Sequence, residues 1–173
     1  MLAGFAFCGR ALGGGFDESQ IKATFLFHFT QFVTWPDTSF ASTNSPIVMG
    51  LVGKDPFNGI LEEVIRGEAV RGRKLECRRL EPGAGLRECH LLFISRSETA
   101  RLPEILSNLH GATVLVVGDV DGFCQSGGMM NLVTEANRVA VELNPAAAKR
   151  AGLKVDSRLQ RLARLIEEKR PRK

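Results

Sequence analysis

No stretch of this chain reaches the ~18 consecutive apolar residues that a membrane-spanning helix requires, so its 173 residues contain no candidate helical span. Metal chemistry lacks its ligands as well. The four cysteines, Cys8, Cys77, Cys89 and Cys124, form no CxxC pair, and His28, His90 and His110 match no common ligand spacing. No metal and no cofactor is expected. Thiols this few and this scattered also exclude a disulfide scaffold. With Cys8 set aside three remain, which fits one bridge plus a free thiol in an oxidising compartment as well as three reduced thiols in a reducing one.

Enzyme signatures are absent too. There is no GxGxxG entering a helix, no GxxxxGKS or GxxxxGKT, no GxSxG and no HExxH. Gly118, Gly122, Gly127 and Gly128 do not lead straight into a helix, so they build no phosphate cradle. Asp119 and Asp121 lack the further aspartates and the lysine that a phospho-accepting acidic pair needs. No histidine lies beside Cys77 or Cys124, and a nucleophilic thiol needs such a neighbour. No catalytic constellation can be named, so the chain reads as a non-enzyme. The net charge of +4 owes much to Lys169, Arg170, Arg172 and Lys173 at the end. They read as a solvated tail, and without a basic face interleaved with aromatics no nucleic-acid partner is expected.

What is present describes one domain. Composition is ordinary globular, 44% hydrophobic and 24% charged, and domains of this size bury ~70% of the surface their unfolded chains expose. Three parts follow: a signal-like leader or disordered N-terminus over 1–16, a folded domain over 17–168, and the basic tail over 169–173. The leader is short and apolar from Met1 to Cys8 and is broken by Gly13, Gly14 and Gly15. Small residues at Gly9 and Ala11 suit signal cleavage, although no basic segment precedes the apolar run.

Periodicity places the elements. Residues 17–33 predict a helix that Asp17 caps, with Ile21, Phe25, His28, Phe29 and Phe32 on one face, ended by Trp35 and Pro36. Residues 46–53 predict a strand covered on both faces, followed by a helix that Asp55 caps and Pro56 starts. Residues 74–80 predict a more polar strand near an edge, and 90–95 a buried one. Ser97 then caps a helix through Leu102, Ile105, Leu106 and Leu109. Residues 112–118 predict a fourth strand, and 130–134 with 138–143 a hairpin turning at Glu135, Ala136 and Asn137. A last helix from Ser157 turns Leu159, Leu162, Ala163 and Ile166 inward. The expected fold is α/β, a three-layer sandwich with a mostly parallel sheet and a C-terminal antiparallel hairpin edge.

Ligands of an open parallel sheet favour the crevice beyond the carboxyl ends of its strands. Asp55, Arg96, Ser97 and Asp119 fall there and are the candidate ligand-binding residues; equally, Asp55 and Ser97 serve as helix caps and Asp119 as a turn former. Arg158, Arg161 and Arg164 give the last helix a basic face suited to an acidic partner, or to plain solvation.

Several segments in one order resemble a known family, the YfiR-like periplasmic regulators. They are Lys22 to Phe29 read as KATFLFHF, Phe32-Val33-Thr34-Trp35-Pro36, Gly53-Lys54-Asp55-Pro56-Phe57, Cys89-His90-Leu91-Leu92-Phe93-Ile94-Ser95, the glycine-punctuated stretch over 118–130, and Val141-Glu142-Leu143-Asn144 with Ser157-Arg158-Leu159. The likeness spans about residues 20–166. It implies an exported regulator that binds and represses a membrane diguanylate cyclase through its periplasmic sensor region, can be titrated away by an outer-membrane lipoprotein, and can form a homodimer. The alternative is a periplasmic small-ligand-binding protein serving a transport system or a histidine kinase. The family also pairs a first-strand cysteine with the position of Cys89, and the position of Cys124 with one in the next strand. Here Met49 or Gly50, and Asn131, stand at those partner places, so both bridges are broken and Cys77 is left as the candidate partner of Cys89. The leader and the likeness together predict a periplasmic mature chain beginning near Phe16. Cell fractionation should recover a shortened protein outside the cytoplasm; full-length protein in the cytosol would contradict this.

Overall fold

In the computed structural model, which describes residues 17–168, the first helix, α1 (Glu18–Phe32), starts where Asp17 accepts the Gln20 N–H at 3.1 Å. The leader and basic tail lie outside the described residues. Phe25, Leu26, Phe27, Phe29 and Phe32 leave this helix apolar almost all round, so hydrophobicity alone does not choose its inner face. The buried stripe is Lys22, Ala23, Leu26, Phe29 and Thr30, continued by Val33. Phe25 and Phe32 flank it half-buried, about one residue's rotation from the expected face.

The chain then forms β1 (Val33–Thr34), β2 (Ile47–Val52), α2 (Ile60–Ile65), β3 (Ala69–Val70) and β4 (Arg73–Leu80). After them come β5 (Leu91–Ile94), α3 (Leu102–Asn108), β6 (Leu115–Gly118), β7 (Met130–Glu135) and β8 (Arg138–Leu143). It ends in α4 (Pro145–Arg150), β9 (Lys154–Val155), α5 (Ser157–Leu162) and β10 (Arg164–Leu165). Eight strands make one sheet in the order β10-β8-β7-β6-β5-β2-β4-β3, and β1 pairs with β9 apart from it. The strands β2, β4, β5 and β6 are mutually parallel, as expected. The hairpin of β7 and β8 is antiparallel and turns through Ala136 and Asn137 at positive φ.

Three expectations shift. The hairpin is not the edge, because β10 adds to β8 in parallel. Asp55 accepts the Phe57 N–H at 2.7 Å, but α2 begins only after Gly59, whose φ of +89° interrupts the chain. Ser95, not Ser97, caps the turn that leads into α3. The connections β2 to β4 and β5 to β6 run in opposite directions across the sheet, and right-handed crossovers therefore put α2 and α3 on opposite faces. The sandwich is three-layered. Phe57 and Phe93 meet edge-on at 5.1 Å beneath α1 and α2. On the other face Phe123 fills the room left by Gly118 and Gly128, where a Cβ would fall 2.6 and 2.2 Å from its ring.

Strand register also decides the thiols. Cys77 pairs with Met49, and its side chain lines the α2 side with Glu62 and Ile65. The next position, Gly50, points the other way, and a Cβ there would lie 2.6 Å from Cys89 Sγ. Cys77 and Cys89 are thus on opposite faces of the sheet, and both are free, which removes the Cys77–Cys89 pairing. It is Gly50, not Met49, that stands opposite Cys89. Burial pushes Cys77 up to about 12, Cys89 to about 11 and Cys124 to about 12, so all three are neutral thiols at physiological pH.

Two results are expected. A thiol reagent at neutral pH should leave Cys77, Cys89 and Cys124 unmodified in the native protein and label them after denaturation; a Cys77–Cys89 cross-linked peptide under non-reducing conditions would contradict the register. Phe29→Ala should lower stability to urea by ~3–5 kcal/mol, with a smaller loss for the half-buried Phe25→Ala; equal losses would place the inner face of α1 elsewhere.

Candidate functional site

Asp119 follows β6 directly, and Arg96 follows β5 by one residue, so the sheet brings their loops side by side at its carboxyl end. Asp119 Oδ1 accepts the Arg96 backbone N–H at 2.9 Å. Its backbone carbonyl accepts from Arg96 Nε at 3.1 Å and from the terminal guanidinium nitrogen at 3.0 Å. Its other carboxylate oxygen, Oδ2, accepts from Lys22 Nζ at 3.1 Å. Lys22 is only 3% exposed and also meets Glu18, one helical turn back, at 2.5 Å. Lys22 holds the Glu18 carboxyl below the usual carboxylate range, against the opposing effect of burial. A buried cation survives when it is paired and hydrogen-bonded, and here two carboxylates share the task.

The remaining candidates do not join this cluster. Ser97 Oγ accepts the Lys54 backbone N–H at 2.9 Å, tying the loop after β5 to the loop after β2. Gly53 permits that approach, having φ of +87° and Ser97 Oγ 2.5 Å from where a Cβ would stand. Asp55 turns toward β4 and pairs with Arg79 at 2.6 Å, while Arg79 also pairs with Glu62 at 2.5 Å. The structure therefore brings Arg96 and Asp119 together, adds Lys22, and sets Ser97 and Asp55 to other tasks. The polar atoms at the strand ends are occupied by one another. Two clefts lie elsewhere. One of about 480 Å³ runs along the sheet edge between α2 and the hairpin of β3 and β4, lined by Ile65, Leu75 and Cys77 among others. The other, about 280 Å³, opens at the amino ends of the strands beside Ser39, Glu88 and His90.

A second buried network extends from the same end of the sheet. Asn131 holds the Val120 backbone by both amide atoms, at 3.1 and 2.9 Å, and donates to Glu142 at 3.1 Å. Glu142 in turn meets Arg164 at 3.6 Å, and Arg164 pairs with Glu135 at 3.1 Å. Sequence reasoning missed Lys22 in the first network and the Asn131–Glu142 pair in the second. The signal for Lys22 was a lone charge on an otherwise apolar helical stripe.

The basic face of the last helix is partly spent. Arg158 pairs with Asp156 at 2.9 Å and sits over the Phe32 ring at 5.2 Å, and Arg164 is held as above. Arg161 forms no ion pair among the described residues. The helix is also shorter than periodicity suggests: α5 ends at Leu162, and the chain extends into β10, so Leu162 and Leu165 face outward at 82% and 57% exposure. They are the exposed large hydrophobics among the described residues; Leu162 follows Arg161 at the end of α5, and Leu165 lies on β10, the outer edge strand of the sheet.

Solved structures share the fold at low identity. A conserved domain protein from Vibrio cholerae O1 biovar El Tor superposes with a TM-score of 0.59 at 9% identity, over 88% of this chain and 61% of that one. A Streptococcus pneumoniae structure described as an ABC domain in complex with L-Trp gives 0.56 at 10% identity, over 86% and 60%. The chain thus spans about three fifths of the length of these structures. No curated protein matches it. The YfiR/HmsC-like family profile matches residues 19–164, nearly the whole described domain with all of α1 but its first residue, Lys22, Arg96, Asp119, Asn131, Glu142 and α5 inside it, and the chain belongs to that family.

Proposed function

We propose that this chain is a non-enzymatic periplasmic regulator that binds the sensor region of a membrane diguanylate cyclase and represses it. The observation that carries the reading is the family match over residues 19–164, since YfiR-like proteins regulate diguanylate cyclases from the periplasm. The geometry is consistent with a protein that acts by contact. Asp119, Arg96 and Lys22 are bound to one another at the carboxyl end of the sheet and stiffen the frame.

A repressor without chemistry acts through a higher affinity for one state of its target. The surface best suited to that contact is the corner made by α5 and β10. Leu162 and Leu165 supply exposed apolar surface, and Arg161 adds a charge that forms no ion pair among the described residues, arginine being one of the residue types in which interface binding energy concentrates. Arg158 and Arg164 shape the rim. A charge at the rim governs association rate more than final affinity. An outer-membrane lipoprotein competing for this corner would relieve repression, and a second copy of the chain could occupy it in a homodimer.

Deleting the gene should raise cellular cyclic-di-GMP. A double variant, Arg161→Glu with Leu162→Asp, should reproduce the deletion, because both residues are outside the core and the fold, checked by circular dichroism, should survive. Unchanged cyclic-di-GMP in the deletion strain, with the cyclase shown to be expressed, would end this reading in favour of a small-ligand-binding role in transport or kinase signalling.

A further inference from the structure

His90 lies at the opposite end of the sheet from Asp119, just before β5, and is 7% exposed. Both of its ring nitrogens are committed. Nδ1 accepts the backbone N–H of Val48, in β2, at 3.0 Å. A ring nitrogen that accepts carries no proton, so the neutral ring bears its hydrogen on Nε2 and donates it to the Ser39 carbonyl at 3.1 Å. Ser39 belongs to the loop of residues 37–46 that feeds β2. Phe40, the next residue of that loop, stacks on the imidazole at 4.4 Å between centroids, and Trp35 meets the ring edge-on at 6.2 Å while donating its indole N–H to the His90 carbonyl at 2.9 Å.

The loop's other fastening is a cation. Arg73 of β4 sits 3.7 Å over the Phe40 ring and donates to the Ser42 and Ser45 carbonyls at 2.9 and 2.8 Å. The charged groups around the imidazole are therefore Arg73 from β4, Arg87 and Glu88 from the turn before β5, which line the same cleft, and Asp37 at the start of the loop. Glu88 and Asp37 are both exposed, and neither makes a hydrogen bond or ion pair to the ring among the described residues. Arg87 donates to the Asn108 and His110 carbonyls.

We propose that His90 is a proton-operated latch: protonation of its ring frees the loop of residues 37–46 from the amino end of the sheet while the domain stays folded. A proton on Nδ1 would set an N–H against the Val48 N–H, turning an accepted hydrogen bond into a repulsion, and would place a second positive charge near Arg73. The Nε2 bond to Ser39 alone would survive, at the end of a ring whose other side is no longer held. What holds the loop is local, whereas β2, β5 and β6 are held by their ladders and by a core that does not include the ring. The cleft beside Ser39, Glu88 and His90 would open toward solvent when the loop moves, so an acidic exterior would change the shape of this end of the molecule. Histidine suits this use because its ordinary titration falls near neutrality. The inference does not depend on what partner the α5–β10 corner binds.

The direction of the pH effect follows from linkage. Burial, assisted by Arg73 and opposed by the Ser39 bond, holds His90 below its ordinary value of 6.5. The closed form then binds fewer protons than the open one, so the closed form keeps its full advantage above 6.5 and loses it as pH falls below that value toward the folded titration point. Two measurements on the full chain test this: long-range nitrogen–proton NMR of the imidazoles, and hydrogen exchange between pH 7.5 and 4.5 corrected for the intrinsic rate. The expected result is a neutral Nε2–H ring at pH 7.5, then at least a tenfold loss of protection confined to residues 37–46 with the same midpoint as the His90 titration. His90→Asn, which keeps an acceptor for Val48 and cannot titrate in this range, should abolish the pH dependence. Should that variant fail to fold, the wild-type NMR and exchange midpoints still decide. Loop protection that persists after His90 is protonated, an Nδ1–H ring at neutral pH, or loss of protection in all strands together would overturn the proposal.

Discussion

The Lys22 ammonium group, buried between Glu18 and Asp119, is the interaction on which the arrangement of this domain depends. Its helix is apolar nearly all round, and packing alone would accept several rotations. A charge this deep is tolerated in only one of them, the one that meets a carboxylate. Asp119 is that carboxylate, fixed by position at the end of β6 and by the Arg96 backbone bond. One ion pair therefore sets the rotation of α1 on the sheet, and the Arg96 hydrogen bonds to the same aspartate join the loops after β5 and β6. That rotation brings Leu26, Phe29 and Val33 inside and leaves Phe32 at the margin, where Arg158 rests on it.

The same logic explains why the strand ends, favoured for ligands in open parallel sheets, are closed here. Lys54 and Ser97, Arg96 and Asp119, and Asn131 with Val120 and Glu142 each satisfy a partner across neighbouring loops. The free surface lies instead at the sheet margin, where β10 adds a short outer strand and turns two leucines outward. A frame stiff at one end and apolar at an exposed corner suits recognition of another protein, in accord with the family to which the chain belongs.

Much of the frame was legible in the sequence because its cues are local. Asp17 capping a run of periodic apolar residues, the uninterrupted apolar stretch of β2, and Ala136 with Asn137 between two alternating segments each carry their own instruction. Residues whose roles depend on partners far along the chain were not legible. Lys22 reads as a solvated charge until Asp119, far downstream, is placed beside it. The thiols could be paired on paper because strand order was unknown, and only the registers β2–β4 and β2–β5 reveal that Cys77 and Cys89 occupy opposite faces. Periodicity at Leu159, Leu162 and Ile166 suggested a longer helix, and pairing of Arg164 and Leu165 with β8 overrode it. Among the candidate residues, Arg96 and Asp119 lie together at neighbouring strand ends, whereas Asp55 follows its nearer arginine on β4.

The central claim, that this protein regulates by binding a cyclase sensor region, is tested most directly by calorimetric titration of the purified chain with the periplasmic region of a membrane diguanylate cyclase from the same organism. The account predicts saturable binding of the wild-type chain and at least a tenfold weaker association for a folded Leu162→Asp variant. Absence of binding by the wild-type chain, with both proteins shown to be folded, would contradict it.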